Sequence, residues 1–283
     1  MDKIKRISFM PNILITGCST GIGKHCAIRL LEDGWTVYPT ARKPEDIKKL
    51  KELGFDAIKL DYAEPKSIKK CFETIAKKTN NEIDALFNNG AYGQPGAVED
   101  LSTDVLRAQF EANFFGWHEL TNLVLPLMRQ NNYGRIIHCS SVLGWVTAPW
   151  RGAYNSSKFA LEGLASTMRI ELMGTNIHVS LIEPGPIESD FSKNALEKFL
   201  THIDRENSVH AQVYESELKR LNNAGGINRF RLPPEAVYKK LNHALTAKKP
   251  KAHYGVTVPT HFMNIARKIL PVSVVDKILL NNS

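Results

Sequence analysis

Much is missing from this chain of 283 residues, and each absence narrows what it can be. It contains no run approaching the ~18 consecutive apolar residues that a membrane-crossing helix needs. Its cysteines, Cys18, Cys26, Cys71 and Cys139, form neither a C-x-x-C pair nor a ligand-spaced cluster. Reduced, mostly buried thiols are expected, with no disulfide framework. The nine histidines show no H-E-x-x-H spacing, so no metal site is expected. Internal repeats and low-complexity linkers are also lacking, which points to one domain over residues 1–283. The opening "MDKIKRISFMPNILITGC" sets basic residues before apolar ones, as a secretory signal does. Pro11 and Asn12 interrupt it, however, and it reads better as a strand entering a Gly-rich turn. A cytoplasmic location follows as an expectation.

Charge of one sign is in excess, at +8. The lysines are scattered as "KIKR", "IKKLK", "SIKK", "AKK" and "KKPK", mostly on expected helix faces. Solvated faces account for them best, an anionic small ligand comes next, and nucleic acid is not expected.

What is present is alternation. "NILIT", "WTVYPT", "DAIKLD", "IDALFNN", "RIIHCSS" and "IHVSLIEPG" read as strands buried on both faces. Between them lie helical patterns over Ile22 to Asp33, Pro44 to Leu53, Pro65 to Lys78, Thr103 to Arg129 and Ala153 to Met173. Such alternation gives right-handed βαβ units: an α/β fold with a doubly wound parallel sheet flanked by helices. After the sixth strand the pattern loosens. A helical lid is expected over about residues 190–232, with a turn in "NNAGG" at Asn222 to Gly226. A helix after Pro233 and Pro234, a strand near "AHYGVTV" and further helices fill about 233–283. Ligands of doubly wound sheets sit beyond the carboxyl ends of the strands, so an insertion there borders the crevice.

Chemistry is concentrated at those strand ends. Gly17, Gly21 and Gly23 stand between the first strand and first helix, with Ser19, Thr20 and Ile22 along the same loop. The glycines permit a tight turn, and the helix start offers N–H groups and a positive dipole end, as a dinucleotide pyrophosphate requires. After the second strand, Arg42 and Lys43 stand where an NAD site usually carries an acid. An Arg can pair with a 2′-phosphate, so NADP(H) is favoured over a solvated loop pair. Asp61, with Tyr62 beside it, could accept from an adenine amino group or cap the helix near Pro65. Tyr154 and Lys158, four apart, stack on one helix face, where an ammonium would pull the phenol pKa down toward the working range. Ser141, at the end of the fifth strand, could hydrogen-bond the carbonyl oxygen that Tyr154 protonates.

The motifs "TGCSTGIG", "NNGA", "FEANFFG", "SSVLG", "YNSSK" and "PGPIES" follow one another in order. Together they resemble the short-chain dehydrogenase/reductase family over at least Asn12 to Ser189. Within it the sequence is similar to the retinol and 17β-hydroxysteroid dehydrogenase-like branch and to bacterial NADP-dependent aldehyde reductases. The resemblance implies a Rossmann-type fold and a nicotinamide-dependent oxidoreductase in which Ser141, Tyr154 and Lys158 carry the chemistry. It further implies that Lys158 holds the nicotinamide ribose and that Asn113 supports a water leading protons to it. Pro184, Gly185 and Ile187 would flank the nicotinamide, and Ser189 the pyrophosphate. One departure stands out: the usual N-N-A-G reads Asn88-Asn89-Gly90-Ala91. Asn89 keeps its place and its expected adenosine-side contact, while the conformation at Gly90 and Ala91 is open.

The reading that follows is an NADP(H)-dependent oxidoreductase interconverting a small-molecule carbonyl, lipophilic in character, with its alcohol. The alternatives are a non-catalytic NADP(H) sensor on the same fold and a membrane-surface protein acting through its basic C-terminus. A membrane surface is the less favoured partner, and a homo-oligomer is left open. Two apolar patterns bear on the substrate. Phe191, Leu196, Phe199 and Leu200 are expected to face inward over the crevice as an apolar lid. "HFMNIARKIL" sets Phe262, Ile265 and Ile269 on one stripe beside Arg267 and Lys268, read as a further part of the lid or, at least as well, as a sheet-edge cover or a subunit contact.

Overall fold

The computed structural model describes residues 10–222 and 230–281. The first nine residues and Asn223 to Gly226 of the expected turn lie outside the described residues. Seven parallel strands form one sheet: β1 Asn12–Ile15, β2 Thr36–Ala41, β3 Ile58–Lys59, β4 Ala85–Asn88, β5 Gly134–Cys139, β6 Ile177–Glu183 and β7 His253–Gly255. Their spatial order is β3-β2-β1-β4-β5-β6-β7, each pair parallel. The order reverses between β1 and β4, which places the ligand crevice over their carboxyl ends. β4 and β5 are buried at every residue, as strands covered by helices on both sides must be.

The crossover helices are α1 Gly21–Glu32, α2 Pro44–Glu52, α3 Pro65–Lys78, α4 Thr103–Phe110, α5 Gly116–Gln130 and α6 Gly152–Glu171. Pro65 opens α3 where its missing N–H has no helical partner to lose. The segment expected as one helix over Thr103 to Arg129 differs in its middle. A wide π turn, Glu111–Phe115, joins α4 to α5 and carries the buried Asn113. Such turns swing a side chain out of α-helical phase, and this one sets Asn113 toward the loop after β4. All four cysteines are buried and free; burial pushes the thiols of Cys18 and Cys71 up to about 12.

After β6 come α7 Phe191–His202 and α8 Ala211–Asn222, then α9 Glu235–Thr246, α10 Val258–Ile269 and α11 Val272–Asn281. The lid segment has its own small core of Ala97, Ala195, Phe199, Ile203 and Tyr214, apart from the sheet core. Phe199 is buried, but in this separate core rather than over the crevice as expected, and Leu200 is 46% exposed. Ala195, Leu196 and Phe199 already fill the buried face of α7, and 100° per residue turns Leu200 away from them. Phe199→Ala should open a cavity there and lower stability by about 3–5 kcal/mol. Urea denaturation checks this; an unchanged midpoint would mean the lid is not packed through Phe199.

Candidate active site

The glycine-rich turn shows why its glycines are glycines. Gly17 and Gly21 have φ of +69° and +56°. A Cβ on Gly17 would lie 2.4 Å from Gly90 Cα, and one on Gly23 would lie 2.3 Å from the Gly17 carbonyl oxygen. Gly90 itself has no positive φ; a Cβ there would press to 3.2 Å on the Gly17 nitrogen. The inverted "NNGA" therefore works by close approach rather than by unusual dihedrals. Thr16 fastens the two loops, its hydroxyl accepting the N–H groups of Asn89 and Gly90 at 2.8 and 3.0 Å. The Asn89 amide donates to the carbonyls of Thr16 and Gly17 at 3.0 and 3.2 Å. Asn89 thus braces the turn.

Helix α1 starts with no side-chain cap from Thr20 and no acid in its first turn. Its leading N–H groups and positive dipole end fit an anion such as a pyrophosphate. Ser189 is brought to the same place, 2.9 Å from where a Gly21 Cβ would be, while Ile22 and Ser19 are half-buried beside it. Arg42 and Lys43 are exposed just past β2. The Arg42 charge opposes the rise that burial imposes on the phenol of Tyr92, in the loop after β4. Asp61 accepts the N–H of Ala63 at 3.0 Å, an Asx turn ahead of α3, whose cap is Glu64. Tyr62 turns its side chain into the core, where its hydroxyl donates to Asn88 Oδ1 at 2.6 Å. Ala91 is half-buried next to Tyr92.

On the other side of the crevice, Ser141 caps a short 3-10 turn, Val142–Gly144, accepting the Leu143 N–H at 3.1 Å. The Pro184 carbonyl accepts the Val142 N–H at 2.9 Å. Gly185 admits Thr257: a Cβ there would lie 2.2 Å from Thr257 Oγ1. Ile187 bridges to Leu232, closing the β6 loop. Tyr154 and Lys158 project from adjacent turns of α6, with Nζ 5.7 Å from the Tyr154 ring centre. Lys158 is 1% exposed; its Nζ donates to the Cys139 carbonyl at 2.8 Å and lies 4.2 Å over the Trp117 ring. Asn113 does not touch Lys158. It donates to the Tyr92 carbonyl at 2.8 Å and to Ser157 Oγ at 3.5 Å, and Ser157 in turn donates to the Tyr154 carbonyl at 2.8 Å.

The electrostatics correct one expectation. Burial pushes the Tyr154 phenol well above its ordinary pKa; the neighbouring Cys139 adds to the rise, and only Ser141 opposes it. Burial outweighs any pull from Lys158, and it lowers Lys158 itself to about 8, against support from Cys139 and Glu162. The phenol is therefore held neutral, the form that can donate a proton.

Sequence reading missed two features. Trp117, four residues after Asn113, both stacks under Lys158 and donates Nε1–H to the Gly90 carbonyl at 2.9 Å; that spacing was a usable signal. The second is a cluster of Glu162, Glu183 and His253, whose ligand atoms lie within 4.8 Å of one another. His253 bonds Glu183 at 2.6 Å and lies 3.8 Å from Glu162. Burial, then the Glu183 charge, pushes Glu162 up to about 7, while the bond to Glu183 raises His253. These residues come from α6, β6 and the start of β7, so no sequence spacing announces them.

Comparison with known proteins agrees with this geometry. A family profile described as short chain dehydrogenase matches residues 11–199. The chain is 39% identical to an uncharacterized oxidoreductase, YbbO, of Escherichia coli, over 95% of this chain and 93% of that protein. It is 32% identical to an NADPH-dependent 3-dehydrocapnine reductase of Ornithobacterium rhinotracheale, over 95% and 96%. Among solved structures, a short-chain dehydrogenase from Streptomyces avermitilis shares the fold, with a TM-score of 0.76 at 23% identity over 95% of this chain and 98% of that one. Gly23→Ala should weaken NADPH binding by at least about tenfold, since the new methyl must displace the Gly17 carbonyl. Fluorescence titration with NADPH checks it, and full affinity would remove this turn from the cofactor site.

Proposed function

The chain belongs to the short-chain dehydrogenase family and is an oxidoreductase, and from that premise we propose that it interconverts a lipophilic aldehyde or ketone with its alcohol using NADP(H). One observation carries the reading: a neutral Tyr154 phenol, the Ser141 hydroxyl and a buried Lys158 ammonium converge beside a dinucleotide-type turn. When bound, NADP(H) supplies or accepts the hydride. The Ser141 oxygen already accepts Leu143 N–H, so its own proton is available to hold the substrate oxygen. Tyr154 donates its proton to that oxygen, and the phenolate left behind is stabilised by Lys158 nearby. Trp117 and the Cys139 carbonyl keep the ammonium in place between turnovers. Arg42 supports the choice of NADP(H), as does the NADPH dependence of the 3-dehydrocapnine reductase relative.

Apolar substrate is favoured by Phe191, whose ring lies 5.3 Å from that of Tyr154 and whose edge fills the space above Gly93. Substrate chain added there leaves water at about 25 cal/mol per Å². Across a series of aliphatic aldehydes, kcat/KM should rise with each methylene until the pocket fills. Phe191→Ala should flatten that rise, whereas the outward Leu200→Asp should not. A flat or falling wild-type series would sink the apolar pocket.

Tyr154→Phe should abolish NADPH oxidation against these aldehydes while leaving NADPH affinity near wild type. Near-normal turnover would falsify the proton-donor role. Arg42→Asp should cost NADPH about tenfold or more in affinity and NADH little; equal losses would reduce Arg42 to a surface charge. The pH dependence follows from Lys158. Its charge is present below about 8 and lost above, so NADPH affinity should fall as pH rises through about 8. Lys158→Met should remove that inflection, and an inflection persisting in the variant would assign it elsewhere.

A further inference from the structure

Helix α10 is apolar on two sides, and only one is used. Its inner face, Met263 and Ala266, packs with Val146 and Val275 beside the 3-10 turn that follows Ser141. The stripe expected to cover the sheet edge points the other way. Phe262 is 54% exposed, Ile265 60% and Ile269 73%, with Val258 and Val272 extending the line beyond each end. Spacings of three and four keep these residues on one side of the helix, so the stripe runs about 17 Å. Large exposed apolar stripes mark interaction surfaces.

The surrounding charge selects the partner. Arg267, Lys268 and Lys277 stand in these two helices against Asp276 alone, on a chain of net charge +8. Arg267 is fixed against Trp145, donating to its carbonyl at 2.7 Å, while Lys268 and His261 flank the exposed stripe. In a two-fold pair, the stripe would meet its own copy and set like charges together. An anionic lipid surface instead matches both features: apolar side chains enter the headgroup boundary and cations meet the headgroups.

We propose that the exposed face of α10 docks the protein onto anionic membranes, lying in the interface without crossing it. Among the described residues no helix is long and apolar enough to cross one. Docking at α10 would set a membrane beside the Ser141 side of the crevice, because the inner face of the same helix packs against the turn after Ser141. The route this offers for lipid-dissolved carbonyls rests on the function proposed above; the docking face does not.

Vesicle sedimentation tests it with the full chain. Phosphatidylcholine vesicles containing phosphatidylglycerol should bind the protein, and phosphatidylcholine alone should bind it weakly. Added salt and Lys268→Glu should each reduce binding. The pair Ile265→Ser with Ile269→Ser should lower the partition coefficient at least about tenfold. Both positions are exposed, so melting temperature and NADPH affinity should stay at wild-type values and exclude misfolding. Absence of binding to the anionic vesicles, or undiminished binding by the serine pair, would overturn the proposal. Equal binding to neutral vesicles would overturn the choice of anionic lipid. A wild-type dimer in solution that the serine pair splits into monomers would assign the stripe to a second copy instead. None of these readouts uses turnover, so an inactive protein that binds vesicles would fail the proposed function alone.

Discussion

A buried ammonium organises this end of the molecule. Lys158 has almost no contact with water, and an unpaired charge in that position would lose its proton or unfold its surroundings. It keeps partial charge through three kinds of contact: the Cys139 carbonyl at the end of β5, the face of Trp117 on α5, and the field of Glu162 on its own helix. Each contact comes from a different element, so the ammonium fixes how β5, α5 and α6 meet. Trp117 passes the constraint on, since its indole N–H holds the Gly90 carbonyl and Gly90 packs on Gly17. The glycine turn and the proton-handling pair are thus joined through one tryptophan.

The same burial explains the largest departure from sequence expectation. From sequence, Tyr154 and Lys158 are a pair four apart, and the inference that the cation lowers the phenol pKa considers only that pair. Low dielectric acts on both groups at once, raising the one and lowering the other, and here it outweighs their mutual attraction. Local spacing carries the identity of the groups but not the medium they sit in. The medium is assembled from β5, α5 and the loop after β4, which sequence reading places only coarsely.

Legibility divides along that line elsewhere. The parallel sheet, the glycine turn, Ser141 and the Tyr154–Lys158 pair could be read because each depends on contiguous residues and on period. The π turn at Asn113 could not, because a one-residue excess barely disturbs a helical pattern. The cluster of Glu162, Glu183 and His253 joins three elements far apart in sequence. For α10, periodicity correctly grouped Phe262, Ile265 and Ile269 but could not say which side faced in. The inner side is Met263 and Ala266, in the cluster against which Val142, Leu143 and Trp145 of the 3-10 turn region pack.

Close approach also governs the C-terminal shoulder. Gly185 must lack a side chain so that Thr257 can approach, and Thr257 with Thr260 then begins α10 hard against the loop after β6. The inward face of that helix is Met263 and Ala266, packed on Val146 and Val275, while Phe262, Ile265 and Ile269 point outward. On the opposite side, α7 meets the same crevice with Phe191 touching Tyr154 while Phe199 anchors the helix in a separate small core. Both walls thus rest on satellite clusters apart from the sheet core, α7 through Phe199 and Tyr214 and α10 through Met263 and Ala266. Local opening costs least where the packed core is small, so either shoulder can move without disturbing the sheet.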